Sequence, residues 1–282
     1  MKKYSIVQAA DQYVKYDMIQ AHTQVPSYSE PRLQLLNAML NQSKLMKDKS
    51  ELYALVTALV QLGMDTHDLI DIESGFVNEK QMRSRQLNVL AGDYFSAKFY
   101  QLLAAVGEIE LIGKLSKAVS DVNRLKVAFY EKIQLTGLSS EEYISNRILL
   151  KSELFKPFQR YLEPSIQHVW QPLLENVTRF EVIHEELTNI SNAGGYLNSY
   201  AYWRICEGFE AKEREAKTYE QLQQLYVQQN IQGALIDKLH MAMQEVQQTV
   251  YKHVDLMASL QHLLNDMNAK LMNYTTKRVE AN

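Results

Sequence analysis

The sequence predicts an all-α protein, and three observations predict it. Glycine and proline are scarce, at 10 and 5 of 282 residues, and the prolines at 26, 31, 157, 164 and 172 fall outside the long periodic segments. Apolar residues recur every three or four positions through those segments, which is the spacing of one helix face. No run alternates apolar and polar residues as a half-buried strand does. Breaks between helices are expected at VPSYSEP (25–31), IESGFVNE (72–79), TGLSSEE (136–142), the Pro157 to Pro172 region and SNAGGY (191–196).

A chain that is 46% hydrophobic and 22% charged has ample material for a core, and a single all-helical domain over 1–282 is expected. The formal net charge of −3 supplies no basic field for nucleic acid, so no nucleic-acid partner is expected. A lone cysteine, Cys206, excludes an internal disulfide and a Cys-rich zinc site, and the seven histidines show no metal-ligand spacing. The start, MKKYSIVQAADQYVKYDM, lacks the continuous apolar core of a secretion signal. The longest apolar runs, such as LYALVTALVQLGM, are shorter than a membrane span and end at once in charges. A cytoplasmic protein with no membrane span is the expectation.

That apolar run forms the first strongly marked helix, and it closes on GMDTHDLIDIE (63–73). Asp65, Asp68 and Asp71 advance by three residues each and lie along one slowly drifting side, with Glu73 just beyond. Carboxylates gathered this way repel unless a cation sits among them, so the cluster is either a solvated helix end or a ligand set. The next helix carries QLNVLAGDYFSAKFYQLL (86–103). Leu87, Leu90, Ala91, Tyr94, Phe95 and Phe99, continued by Leu102, Leu103 and Val106, predict one apolar face with a single acid, Asp93, upon it. An acid there needs a partner: Asp93 is read as a buried structural anchor, with a ligand role as the alternative. Tyr94, Phe95 and Phe99 are candidates for a subunit interface or tunnel wall, and core packing competes for the same residues.

In the later half, Tyr196, Tyr200 and Trp203 have helical spacing and are expected in the core. The segment 212–275 reads as long and helical. Between Leu235 and Leu271 its apolar positions cover 36 residues in ten steps, an average of 3.6, which suits one long helix or two with a small kink, packed within the same bundle.

The order of an apolar helix, an Asp cluster, a charged loop and LAGDYFSA (90–97) resembles the trans-prenyl diphosphate synthases. In that family a first Asp-Asp-x-x-Asp motif binds magnesium, which holds the allylic diphosphate as it ionises. The matching residues here are His67, Asp68, Leu69, Ile70 and Asp71, so the first aspartate is a histidine, a poor ligand for a hard cation. The family's Arg-Arg-Gly is missing, since Arg83 and Arg85 do not precede glycine, and only Arg32 stands in for its N-terminal Gly-Lys-x-x-Arg-Pro. The later half holds Glu141-Glu142 and Glu185-Glu186 but no second aspartate motif, and DVNRLKVAF (121–129) has Arg124 and Lys126 where the catalytic family places an acid.

DTHD (65–68), the 86–103 segment and VNRLK (122–126) together resemble the small subunits, component 1, of two-component heptaprenyl diphosphate synthases, most strongly over 25–160. The resemblance implies a chain without catalytic or metal-binding residues of its own and with no cofactor bound alone. It implies a catalytic large subunit, component 2, that carries both aspartate motifs and Mg2+. The pair would elongate farnesyl diphosphate with isopentenyl diphosphate to a heptaprenyl or similar long chain for menaquinone, and the small subunit could touch the polyprenyl chain. Two other readings stay open: a helical scaffold without isoprenoid role, and a divergent self-sufficient prenyl or terpene synthase.

Overall fold

A computed structural model describes residues 6–15, 19, 23, 25–70, 79–135, 138–190, 199–209 and 218–280. Among these the elements are helices and short 3-10 turns, with no strand, as expected of an all-α chain. Asp71, Glu73 and Tyr196, and the expected break SNAGGY, lie outside the described residues. The helices fall into two compact units, and each is described by itself.

The first unit comprises residues 1–121 and 157–163. It contains α1 (Ile6–Val14), α2 (Glu30–Asn41), α3 (Ser50–Asp68), α4 (Glu79–Ala105) and the first half of α5 (Ile109–Leu135). Pro31 sits in the first turn of α2, where its missing N–H costs no intrahelical bond. Helix α3 is the centre of the unit, packed against α1, α2 and α4. Its residues Tyr53 to Val60 are all buried, the all-round apolar character of an interior helix. A β-carbon on Gly63 would come within 2.8 Å of Ser96 Oγ and 3.1 Å of the Gly92 carbonyl, so the close approach of α3 and α4 requires glycine there.

Helix α4 ends in a Schellman motif. The Glu108 N–H donates to the Leu103 carbonyl at 2.9 Å and the Gly107 N–H to that of Ala104 at 3.1 Å, with Gly107 in the left-handed region at φ 75°. The turn presents Glu108 to Lys49, which precedes α3, and to the buried Tyr53 phenol. Residues 157–163 close this side of the unit: Tyr161 stands edge-on to Tyr53 at 5.5 Å, and Lys114 lies 4.7 Å above its ring. The Lys44 N–H donates to Glu163 Oε1 at 3.1 Å.

The second unit comprises residues 122–156 and 164–282. After the second half of α5 come α6 (Ser140–Glu153), α7 (Gln167–Ile190), α8 (Tyr200–Cys206), α9 (Tyr219–Gln228), α10 (Ile231–Tyr251) and α11 (Val254–Glu280). Helix α7 packs against α6 and α10, α10 against α11, and α8 against α6 and α9. Two starts are written locally, since Ser139 with Glu142 and Thr218 with Gln221 form capping boxes on α6 and α9. Pro172 departs from the expected break: it lies exposed within the second turn of α7, where it forfeits one backbone hydrogen bond. Tyr200 and Trp203 are buried as expected.

The apolar series from Leu235 to Leu271 belongs to two helices. Leu235, Leu239, Met243, Val246 and Val250 are buried on α10, whereas Val254 is 77% exposed and Met257 is also open to solvent. The helix ends at Lys252–His253, and burial resumes one step out of phase with Leu256, Leu260, Leu264, Met267 and Leu271 on α11. The average spacing of 3.6 concealed that shift because it is nearly preserved across the joint.

Candidate functional site

The C-terminal end of α3 and the facing stretch of α4 bring together most of the residues singled out by sequence. Asp65 accepts from Gln61 Nε2 at 2.8 Å one turn back, so this carboxylate is held along its own helix. Asp68 is exposed at the last residue of α3. The His67 ring lies over Gly92, where an added β-carbon would come within 2.6 Å of Nε2, and the same nitrogen lies 3.5 Å from Asp93 Oδ1. Glycine at 92 therefore makes room for the imidazole that stands where the resemblance expects an aspartate.

Asp93 is not buried. Its side chain is 67% exposed, and the expected buried anchor is corrected to an exposed contact between α3 and α4. The physical reason is helix phase. The buried residues of α4 are Asn88, Ala91, Gly92, Phe95, Phe99 and Leu103, a stripe that excludes Leu90, and Asp93 lies on the side opposite to it. Phe95 and Phe99 are fully enclosed within the chain, which puts them in the core and not on an outward interface. Tyr94 is half-buried and stands edge-on to Phe95 at 5.7 Å. Arg32 is also buried, on α2.

The glutamate pairs of the later half are engaged within their own unit. Arg147 Nη2 donates to Glu185 Oε2 at 2.8 Å, Lys151 Nζ to Glu185 Oε1 at 2.7 Å, and Arg147 Nη1 to Glu186 Oε1. Glu186 is almost wholly buried and also accepts from the Tyr143 hydroxyl at 3.3 Å and from the Tyr200 N–H at 2.8 Å. Burial, foremost, pushes the Tyr143 phenol up to about 12, so it is a hydrogen-bond donor here and not an acid. Glu142 caps α6, and Glu141 pairs with Lys238 at 2.6 Å. His184, stacked on Phe180 and edge-on to Tyr274, is held below the usual imidazole range by burial and then by the Lys270 ammonium.

Magnesium would need several free carboxylate oxygens in octahedral array. The described residues do not fit it: an imidazole replaces one ligand, Asp65 is tied to Gln61, and Glu185 and Glu186 answer to an arginine and a lysine. Among the described residues no three of His, Cys, Asp and Glu come together as a metal site, and no helix is long and apolar enough to cross a membrane. Sequence reasoning missed Arg147 and Lys151, whose one signal was their four-residue spacing opposite an acidic pair. It also missed Gly63, a glycine inside a strongly helical run and hence a mark of close packing.

Solved structures share this fold. The geranylgeranyl pyrophosphate synthase of Corynebacterium glutamicum superposes with a TM-score of 0.66 at 12% identity, covering 95% of this chain and 90% of that one. The heptaprenyl diphosphate synthase of Staphylococcus aureus gives 0.62 at 13% identity, covering 95% and 96%. Likeness at that identity shows the fold alone. In sequence, a Geobacillus stearothermophilus protein named heptaprenyl diphosphate synthase component 1 is 39% identical over 94 residues, 33% of this chain and 40% of that protein. The match thus spans less than half of the relative's length. The family model described as heptaprenyl diphosphate synthase (HEPPP synthase) subunit 1 matches residues 16–235. That match runs over most of the chain, on a helical frame shared with solved synthases: the chain belongs to the heptaprenyl diphosphate synthase subunit 1 family.

Proposed function

We propose that the chain is the non-catalytic subunit of a heteromeric, long-chain polyprenyl diphosphate synthase of the cytoplasm, acting with a catalytic subunit that carries the magnesium and both aspartate motifs. The observation that carries the reading is the fate of the acids. Among the described residues, His67 stands where the resemblance expects an acid, and Asp65, Glu185 and Glu186 are hydrogen-bonded to Gln61, Arg147 and Lys151. Such a chain can still act through shape. Elongation continues for as long as the growing polyprenyl chain finds apolar wall, and each buried methylene is worth about 0.8 kcal/mol. A second subunit that lengthens or stiffens that wall favours longer product without touching the reacting carbons. Farnesyl and isopentenyl diphosphates are the substrates proposed for the pair, and the menaquinone side chain is its proposed use.

Reconstitution tests the reading. The purified chain, a catalytic subunit of this synthase class, and the two together are each given farnesyl diphosphate, radiolabelled isopentenyl diphosphate and Mg2+, and the products are sized. Long-chain product is expected only from the pair. Condensation by this chain alone would sink the reading, as would a partner whose product is the same length with and without it. His67→Asp is expected to leave the isolated chain inactive, because one restored carboxylate still has no second acidic motif to work with.

A further inference from the structure

Two histidines of the second unit meet although the sequence sets them far apart. His168 lies in the first turn of α7 and His253 in the turn between α10 and α11, and their ring centroids are 5.4 Å apart with the planes inclined at 64°. His168 is exposed and His253 half-buried, so both rings are open to solvent. Neither imidazole has a hydrogen bond or ion pair among the described residues, and the ring nitrogens are available to a ligand. Exposed Lys252 and Asp255 on either side of His253 offset each other, so the turn carries no net charge that would keep a cation away.

We infer that His168 and His253 form a two-histidine site for a tetrahedral transition-metal ion, Zn2+. The ring separation carries the inference. Zn–N bonds of about 2.0 to 2.1 Å place each ring centroid about 3.2 Å from a shared ion, and the tetrahedral angle then sets the two centroids about 5.2 Å apart. Ligands at a right angle, as in an octahedral array, would bring them to about 4.5 Å. The observed 5.4 Å matches the tetrahedral arrangement. Rotation about χ2, which is broad for histidine, aims one nitrogen of each ring at the ion. Imidazole nitrogen suits zinc and not magnesium, so the ion differs in kind from the one proposed for the catalytic subunit. Two waters complete the tetrahedron, which is why the pair stands outside any group of three ligating side chains among the described residues. With no hydrogen bond to orient either ring, the site is of moderate strength. A bound ion would clip the start of α7 to the corner from which α11 departs. The inference concerns the second unit alone and is independent of the accessory-subunit reading.

The test titrates Zn2+ into the full chain, first freed of metal with a chelator, in a calorimeter and in buffer above the ordinary imidazole range. A single ion is expected to bind with a Kd below about 100 µM and to raise the thermal melt, since an ion that binds the folded state alone stabilises it. His168→Ala and His253→Ala are each expected to weaken binding at least about tenfold and to leave the melt of the metal-free chain nearly unchanged, because neither ring is in the core. His240→Ala and His262→Ala are controls, expected to bind as the unaltered chain does. An excess of Mg2+ of about tenfold is not expected to displace the zinc, and displacement would overturn the nitrogen-ligand assignment. Binding that survives both His168→Ala and His253→Ala would place the ion elsewhere and overturn the inference. Absence of saturable binding up to about 1 mM Zn2+ would leave the two rings as a plain edge contact and overturn it as well.

Discussion

The backbone N–H of Tyr200, the first residue of α8, donates to Oε2 of Glu186 on α7 at 2.8 Å, while Arg147 of α6 holds the other oxygen of the same carboxylate. One buried glutamate thus ties three helices of the second unit. Glutamine in its place keeps one acceptor oxygen and presents an NH2 donor at the other position, so either the mostly enclosed guanidinium or the α8 N-terminus loses its acceptor and the guanidinium loses its counter-charge. Glu186→Gln is expected to destabilise the protein by about 3 kcal/mol, read from urea unfolding. A loss below about 0.5 kcal/mol would show that Glu185 can take its place.

The glycines at the α3–α4 crossing separate two kinds of close contact. Gly63→Ala sets a methyl against Ser96 Oγ at 2.8 Å and against a main-chain carbonyl at 3.1 Å that cannot swing aside. It is expected to cost about 1 to 3 kcal/mol despite the better helix propensity of alanine. Gly92→Ala meets the His67 ring first, a partly exposed side chain that can turn outward, and is expected to cost less. Paired unfolding curves decide the order, and a larger loss at Gly92 would contradict it.

Phe95→Ala opens a void in the first unit and is expected to destabilise the isolated chain by about 3 to 5 kcal/mol. The same measurement on Leu90→Ala, one position from the buried stripe but exposed, is expected to show little change. Equal losses would mean that the solvent face of α4 is covered in solution.

The Glu108 carboxyl is held below the usual range, first by its hydrogen bond from Lys49 and, against the effect of burial, by that from Tyr53. A carboxyl lowered in the folded state adds stability that is complete above its unfolded pKa and is lost as pH falls through the folded value. Stability of the unaltered chain should therefore decline on acidification below the ordinary glutamate pKa. Glu108→Gln should flatten part of that decline, and identical pH profiles of unfolding for the two proteins would exclude the contribution.

The helical frame was legible because its signals are local: the 3.6-residue period, the scarcity of glycine and proline, and the apolar run that became the centre of the first unit. What was not legible is rotation. Leu90, Asp93 and Phe95 lie within five residues of each other, and hydrophobicity alone placed Leu90 with the core and drew Asp93 in with it, although burial divides them. The stripe through Asn88, Gly92, Phe95 and Phe99 contains an amide and a glycine, so its least apolar members hid the true inner face. The pairing of Glu185 and Glu186 with Arg147 and Lys151 was invisible for another reason, since nothing local in the sequence specifies which helix will lie opposite.

The joint at Lys252–His253 has a consequence for how this chain can vary. Because burial changes phase between α10 and α11, a turn and not one continuous helical register connects their two sets of buried leucines, valines and methionines. A residue inserted at the joint would be taken up in the turn, which carries no helical register across it. The same insertion near Met243 would turn the rest of α10 by about 100° and drag Val246 and Val250 out of the core. Length drift among relatives should therefore accumulate at this corner, and it is the natural place to splice a tag or reporter into the chain.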